Sequence, residues 1–150
     1  MNSCKEIKPV FSPVASSIRP PGSKSLTNRA LPIAAMASGR SVLQGVLDSD
    51  DTRVMIEALN RVGILVAHDA TSSSAVVEGV GGLVPNQKAD LFIGNSGTTI
   101  RFLTALLAVA GGDYRLDGIP RMRQRPIGPL VEALQMLHLN VETGSPGGCP

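Results

Sequence analysis

The feature that most constrains this chain is an internal repeat. The stretch Gly22-Ser23-Lys24-Ser25-Leu26-Thr27-Asn28-Arg29-Ala30-Leu31 returns as Gly94-Asn95-Ser96-Gly97-Thr98-Thr99-Ile100-Arg101-Phe102-Leu103. Gly22 matches Gly94, Arg29 matches Arg101, Leu31 matches Leu103 and Gly39 matches Gly111, all at one offset of 72 residues. Farther on, "VLQG" (42–45) precedes Glu57-Ala58-Leu59, and "RLDG" (115–118) precedes Glu132-Ala133-Leu134, at an offset of 75. The second copy therefore has a slightly longer loop. Duplication of one supersecondary unit is the direct reading. The period is long for a solenoid, so the chain should form a pseudo-symmetric globular domain.

Each unit opens with a Gly/Ser/Thr loop and enters an apolar helix, expected near 27–38 and 97–110. Ser, Thr and Asn cap such starts, and Gly39 or Gly111 ends them. Both helices are apolar nearly all round, so they should be central and covered on most sides. A strand follows (41–46, 113–118), then an amphipathic helix. Met55, Ala58, Leu59 and Val62 fall at i, i+3, i+4, i+7, as do Leu130, Ala133, Leu134 and Leu137. Asp51 or Thr52 is expected to cap the first of these, and Gly63 to end it. Strands near 64–68 and 75–79 close unit one. In unit two only one, near 138–142, fits. The unit reads α-β-α-β-β, with the last strand lacking in copy two. Pro32 conflicts with this scheme. A proline inside a helix removes a hydrogen bond and crowds the preceding turn, so the helix should start later or kink there.

Composition narrows the function. Hydrophobic residues at 43% and charged residues at 17% indicate a globular chain. With three Phe, one Tyr and no Trp, there is no ring platform on which bases would stack. A net charge of +2 without a polybasic run names no nucleic-acid partner. The apolar run 100–110 is too short to span a bilayer, and the N-terminus has no apolar h-region. A cytoplasmic protein is expected. Cys4 and Cys149 lack metal spacing and read as incidental thiols of a reducing compartment. His68 and His138 fall in strand-like segments without a ligand cluster. Asp48, Asp50 and Asp51 allow a carboxylate site, but a helix-capping group with a salt bridge to Arg53 is the better reading.

The loops carry the chemistry. Gly22 to Arg29 suits an anion: glycine admits a close ligand, Ser23 and Ser25 donate, and free N–H groups and the helix dipole favour negative charge. Lys24 adds a mobile point charge, and Arg29, four residues after Ser25, presents a fork for a carboxylate. A capped helix with solvated Lys and Arg satisfies the same residues. The spacing is not that of a Walker A loop, because Ser23 precedes Lys24. "GNSGTTIRF" is a second nest candidate. There Arg101, inside an apolar helix, reads as a paired, partly buried structural arginine. In "IPRMRQRPIGP", Pro120 and Pro126 bias Ile119 and Arg125 away from helix. An extended segment would set Arg121, Arg123 and Arg125 on one side. A solvated basic loop is the plain alternative, although its position suggests that one arginine turns inward.

Lys24-Ser25 with Arg29, then "GNSGTT-R", then "PRMRQRPIG", in this order, resemble the EPSP synthase (3-phosphoshikimate 1-carboxyvinyltransferase) family. The likeness runs from about Arg19 to Val141. It implies an α/β (α+β) fold of repeated βαβαββ-type units with central apolar helices, forming part of one lobe of the enolpyruvyltransferase fold. It implies transfer of the enolpyruvyl group of phosphoenolpyruvate to the 5-hydroxyl of shikimate 3-phosphate, with release of phosphate and no metal or organic cofactor. Lys24 would touch both substrates. Ser25 and Arg29 would hold shikimate 3-phosphate. Asn95, Gly97, Thr98 and Arg125 would form the phosphoenolpyruvate pocket. The implied partners are these small molecules and a second, C-terminal lobe, with no nucleic acid and no membrane. On this reading residues 1–18 belong with that second lobe, and 19–150 form an incomplete N-terminal lobe: unit one about 22–93, unit two about 94–150. Such a chain would hold one wall of the site and be inactive alone. Two rivals are a non-catalytic anion-binding fragment and the sister family acting on UDP-N-acetylglucosamine. The sister family carries Lys-Asn where Lys24-Ser25 stands and a reactive Cys in the loop equivalent to "PRMRQRPIG".

Overall fold

A computed structural model describes residues 4–144. Residues 4–23 take no regular secondary structure and are almost wholly exposed. Cys4 is an exposed free thiol. Cys149 lies outside the described residues.

The first apolar helix, α1, spans Lys24–Met36 and starts three residues earlier than the apolar pattern suggested. Its cap is Ser23, whose Oγ accepts from the Leu26 N–H at 3.4 Å. Pro32 does not delay the helix; it lies inside it and is buried. Without an N–H, it gives nothing to the Asn28 carbonyl one turn back. Strand β1 (Ser38–Gln44) follows, then α2 (Asp50–Arg61), β2 (Val66–Asp69) and β3 (Ser74–Val80). These three strands form an antiparallel sheet in the order β1-β3-β2. The expected stripe of α2 is its buried face: Met55, Ala58, Leu59 and Val62 are all inaccessible. Its cap is Ser49 rather than Asp51 or Thr52. The sheet's Val66, Ala75 and Val77 and the α1 residues Leu31 and Ala35 complete this aliphatic core.

Ahead of the second Gly-rich loop runs a strand that the sequence pattern did not reveal, β4 (Lys88–Phe92). Helix α3 (Gly97–Ala110) carries the chain across to β5 (Asp113–Asp117), which pairs with β4 in parallel. Parallel neighbours need such a crossover. A short helical turn, α4 (Pro120–Arg123), and helix α5 (Gly128–Met136) complete the fold. α1 and α3 lie side by side, and α2 contacts both.

Three expectations are corrected here. The segment 138–142 is not a strand. His138 takes a positive φ of 62°, the Leu139 N–H returns to the Leu134 carbonyl, and Gln135 Nε2 holds the Val141 carbonyl. These bonds fold the segment back onto the end of α5. The second amphipathic stripe is half used: Leu134 is buried, whereas Ala133 and Leu137 are exposed. The two central helices are not covered on most sides. Leu26 and Ile33 of α1 and Val109 of α3 are each about two-thirds exposed or more (68%, 71% and 67%). Among the described residues, no helix is long and apolar enough to cross a membrane.

Candidate functional site

Three helix starts meet at one place. α1, α2 and α3 are each capped by a serine: Ser23, Ser49 and Ser96. Each Oγ accepts the backbone N–H three residues on, at 3.4, 3.3 and 3.4 Å. The cleft where they converge has a volume of about 700 Å³. It is lined by Lys24 of α1, by Asp50, Asp51 and Val54 of α2, by Gly94 to Thr98 at the start of α3, and by Arg101 and Arg125. Free N–H groups and the dipoles at helix starts make such a junction electropositive. Asp50 and Asp51 answer part of that charge.

Lys24 does not wave in solvent. Its Nζ is 2.7 Å from a carboxylate oxygen of Asp51. The capping group expected at 48–51 thus divides its labour. Asp48 takes Arg53 through both prongs, at 2.8 and 2.6 Å. That hydrogen-bonded guanidinium holds the Asp48 carboxyl below the ordinary carboxylate range. Asp51 is left to face the cleft. Its carbonyl also accepts from Thr99 Oγ1 at 3.3 Å, tying α2 to α3.

The opposite side of the cleft is built around Gly97. A Cβ placed there would collide with the Arg125 guanidinium and come within 3.4 Å of an Arg101 nitrogen. Glycine is needed because two arginine heads crowd its backbone. Arg125 Nη1 donates to the Asn95 carbonyl at 3.1 Å. Arg101 donates to the Gly97 and Pro126 carbonyls, both at 2.9 Å. It is exposed and bonds only to carbonyls, which corrects the expectation of a partly buried packing arginine.

The basic loop is not extended. Pro120 suits the first position of a helical turn, and α4 forms there. The three arginines therefore part company. Arg123 clamps Asp117 at 2.9 and 2.7 Å, Arg121 is exposed, and Arg125 turns inward and is half-buried. Hydrogen bonding from Arg123, then from the Gly118 N–H, keeps the Asp117 carboxyl below its ordinary range.

The structure thus brings Lys24, Asn95, Gly97, Thr98 and Arg125 onto one cleft. Ser25 and Arg29 are exposed beside it on α1 and do not line it. Arg29 Nη1 donates to the Ser25 carbonyl at 2.8 Å, and its guanidinium lies 5.7 Å from the centre of the Phe102 ring. Arg29 and Arg101, equivalent in the repeat, make the same bond to the carbonyl four residues back. Residue-by-residue reading did not single out Asp51 and Arg101 as cleft residues. The offset of 72 was the available signal for Arg101, since it equates that residue with Arg29.

The family model for EPSP synthase (3-phosphoshikimate 1-carboxyvinyltransferase) matches residues 10–150. A 3-phosphoshikimate 1-carboxyvinyltransferase of Paraburkholderia phymatum is 47% identical over 140 residues, 93% of this chain and 32% of that protein. One of Laribacter hongkongensis is 54% identical over 131 residues, 87% of this chain and 31% of that protein. The chain spans about a third of the length of these curated relatives. The solved EPSP synthase from Acinetobacter baumannii superposes with a TM-score of 0.78 at 26% identity, covering 87% of this chain and 30% of that one. Repeat, cleft and matches lead to one assignment: the chain belongs to the EPSP synthase family.

Proposed function

We propose that this chain supplies one wall of an active site that moves the enolpyruvyl group of phosphoenolpyruvate to the 5-hydroxyl of shikimate 3-phosphate. The observation that carries the reading is the cleft itself, where Lys24, Gly97 and Arg125 meet at the starts of three helices. Both substrates are phosphorylated carboxylates, and the junction offers them cations and unspent N–H groups. Lys24, released from Asp51, reaches the substrates in the cleft. Asn95, Gly97, Thr98 and Arg125 hold phosphoenolpyruvate, with Arg125 on its negative charge. Ser25 and Arg29 hold shikimate 3-phosphate on the neighbouring face of α1.

In the overall transfer, the 5-hydroxyl gives up its proton as its oxygen bonds to C2 of phosphoenolpyruvate, and C3 takes a proton. The bond from C2 to the phosphate oxygen then breaks as C3 loses a proton, which releases phosphate and re-forms the double bond, now as an enol ether. This wall contributes positioning and charge stabilisation. The acids and bases that move the protons belong to the remainder of the parent protein. In keeping with the one-third coverage of the relatives, residues 19–150 are an incomplete N-terminal lobe, with units at about 22–93 and 94–150. Residues 1–18 belong with the second lobe. A cytoplasmic setting suits substrates that do not cross bilayers unaided.

Backbone amide NMR during titration with shikimate 3-phosphate and with phosphoenolpyruvate tests the reading. The expected result is movement at Ser23 to Arg29 with the first ligand and at Asn95 to Thr98 with the second, without turnover. Silence at both segments overturns it.

A further inference from the structure

Five polar side chains are buried among the described residues: Thr27, Asn28, Thr52, Ser96 and Thr99. Four are hydroxyls with evident work. Ser49 with Thr52 and Ser96 with Thr99 close the starts of α2 and α3, and Thr27 Oγ1 holds the Leu47 N–H at 3.1 Å. The fifth is the amide of Asn28. It is wholly inaccessible and lies on the buried face of α1 with Leu31, Ala34 and Ala35. Its Nδ2 donates to Thr98 Oγ1 of α3 at 2.9 Å, a contact between residues 70 apart in sequence. Its Oδ1 has no partner.

A half-satisfied buried amide is a poor way to stabilise a seam between apolar helices. An aliphatic side chain of similar size would avoid the desolvation cost. Such a group is better explained by what it specifies. A single buried asparagine fixes the register of a coiled coil because sliding would strand its amide altogether. The Asn28 bond has that character. It joins α1, one turn after Lys24, to the residue that follows Gly97.

We infer that Asn28 is a positioning residue for the anion cleft. It fixes the axial register of α1 against α3, and so sets Lys24 opposite the corner made by Gly97 and Arg125. This rests on the functional reading above for the identity of the anion.

The test titrates the full chain with phosphoenolpyruvate and compares the native protein with Asn28→Leu. In the native chain the Gly97 amide and the Asn28 side-chain amide should move together, with one midpoint. Asn28→Leu should melt at or above the native midpoint yet bind about tenfold more weakly, the scale of one lost hydrogen bond. A folded Asn28→Leu chain that binds as tightly as the native one overturns the inference. If that variant does not fold, the native titration decides: an Asn28 amide that stays still while Gly97 moves is a refutation, and joint movement upholds it. If phosphoenolpyruvate leaves Gly97 unmoved in the native chain, the assignment of phosphoenolpyruvate to this corner falls instead. Proton–proton contacts across the α1–α3 seam then judge the register. An altered pattern in Asn28→Leu, or in Asn28→Ala if the leucine variant does not fold, supports it; an unchanged pattern refutes it.

Discussion

Gly97 shows how one missing side chain governs two present ones. Its backbone is approached by Arg125 and Arg101 at once. Gly97→Ala should therefore displace the Arg125 guanidinium, the flexible partner, rather than the helix. Alanine is also the better helix former. The expected outcome is a melting midpoint at or above that of the native chain, with affinity for phosphoenolpyruvate down about tenfold, the scale of a charge-assisted contact spoiled. Calorimetric titration beside a thermal melt separates the two. Asp117 allows a second residue-level test. Arg123 holds its carboxyl below the ordinary value of 3.8. A depressed folded value means that the stabilisation is present above the ordinary range and is lost as pH falls through the lowered value. Asp117→Asn should thus melt earlier than the native chain at pH 7, and the gap should close well below pH 3.8. A gap of constant size across that range would contradict the pairing. At this scale the sequence was informative where glycine and cation occur together in a short motif. Lys24, Asn95, Gly97 and Thr98 stood out in such motifs, Arg125 was singled out by the family resemblance, and all five line one cleft. Asp51 did not stand out as a cleft residue, because a carboxylate in the first turn of a helix satisfies the dipole as well as it satisfies a lysine from another element.

Elements were legible in proportion to their internal periodicity. α2 followed its stripe, and α1, α3, β1 and β5 followed the repeat. β4 escaped because "KADLF" alternates weakly, and its strand character comes from pairing with β5, which lies beyond a whole helix. The segment 138–142 erred in the other direction: its alternation suits a strand, but bonds from α5 claim it first. α1 shows tertiary context overriding a local rule, since the helix accepts Pro32 in its interior. Pro32→Ala returns a donor to the Asn28 carbonyl, a change worth up to roughly 3 kcal/mol in a helix interior. It also removes two buried ring carbons at about 0.8 kcal/mol each. The net expectation is stabilisation by about 1 kcal/mol, read from urea midpoints of the two proteins at equal transition slope. A loss of stability would show that the ring's packing outweighs the missing bond.

For the molecule as a whole, the apolar faces left open on α1 and α3 matter most. Leu26, Ile33 and Val109 are too exposed for helices of this character. Sedimentation should show the isolated chain associating as its concentration rises, and Ile33→Lys with Val109→Lys should reverse this. Persistent association in the double variant would place the contact elsewhere. The isolated chain should release no phosphate from the two substrates at enzyme-like rates. Supplying the remaining two-thirds of a relative in trans should restore measurable release. Turnover by the chain alone would refute the one-wall reading.

The position of the cleft also bears on how the site could be lost. Lys24 and Asp51 come from the first copy of the repeat, Gly97 and Arg125 from the second. Neither copy owns the site. A unit taken by itself carries the lysine or the glycine–arginine corner, never both, so whatever parts the two copies dismantles the cleft even where each remains folded.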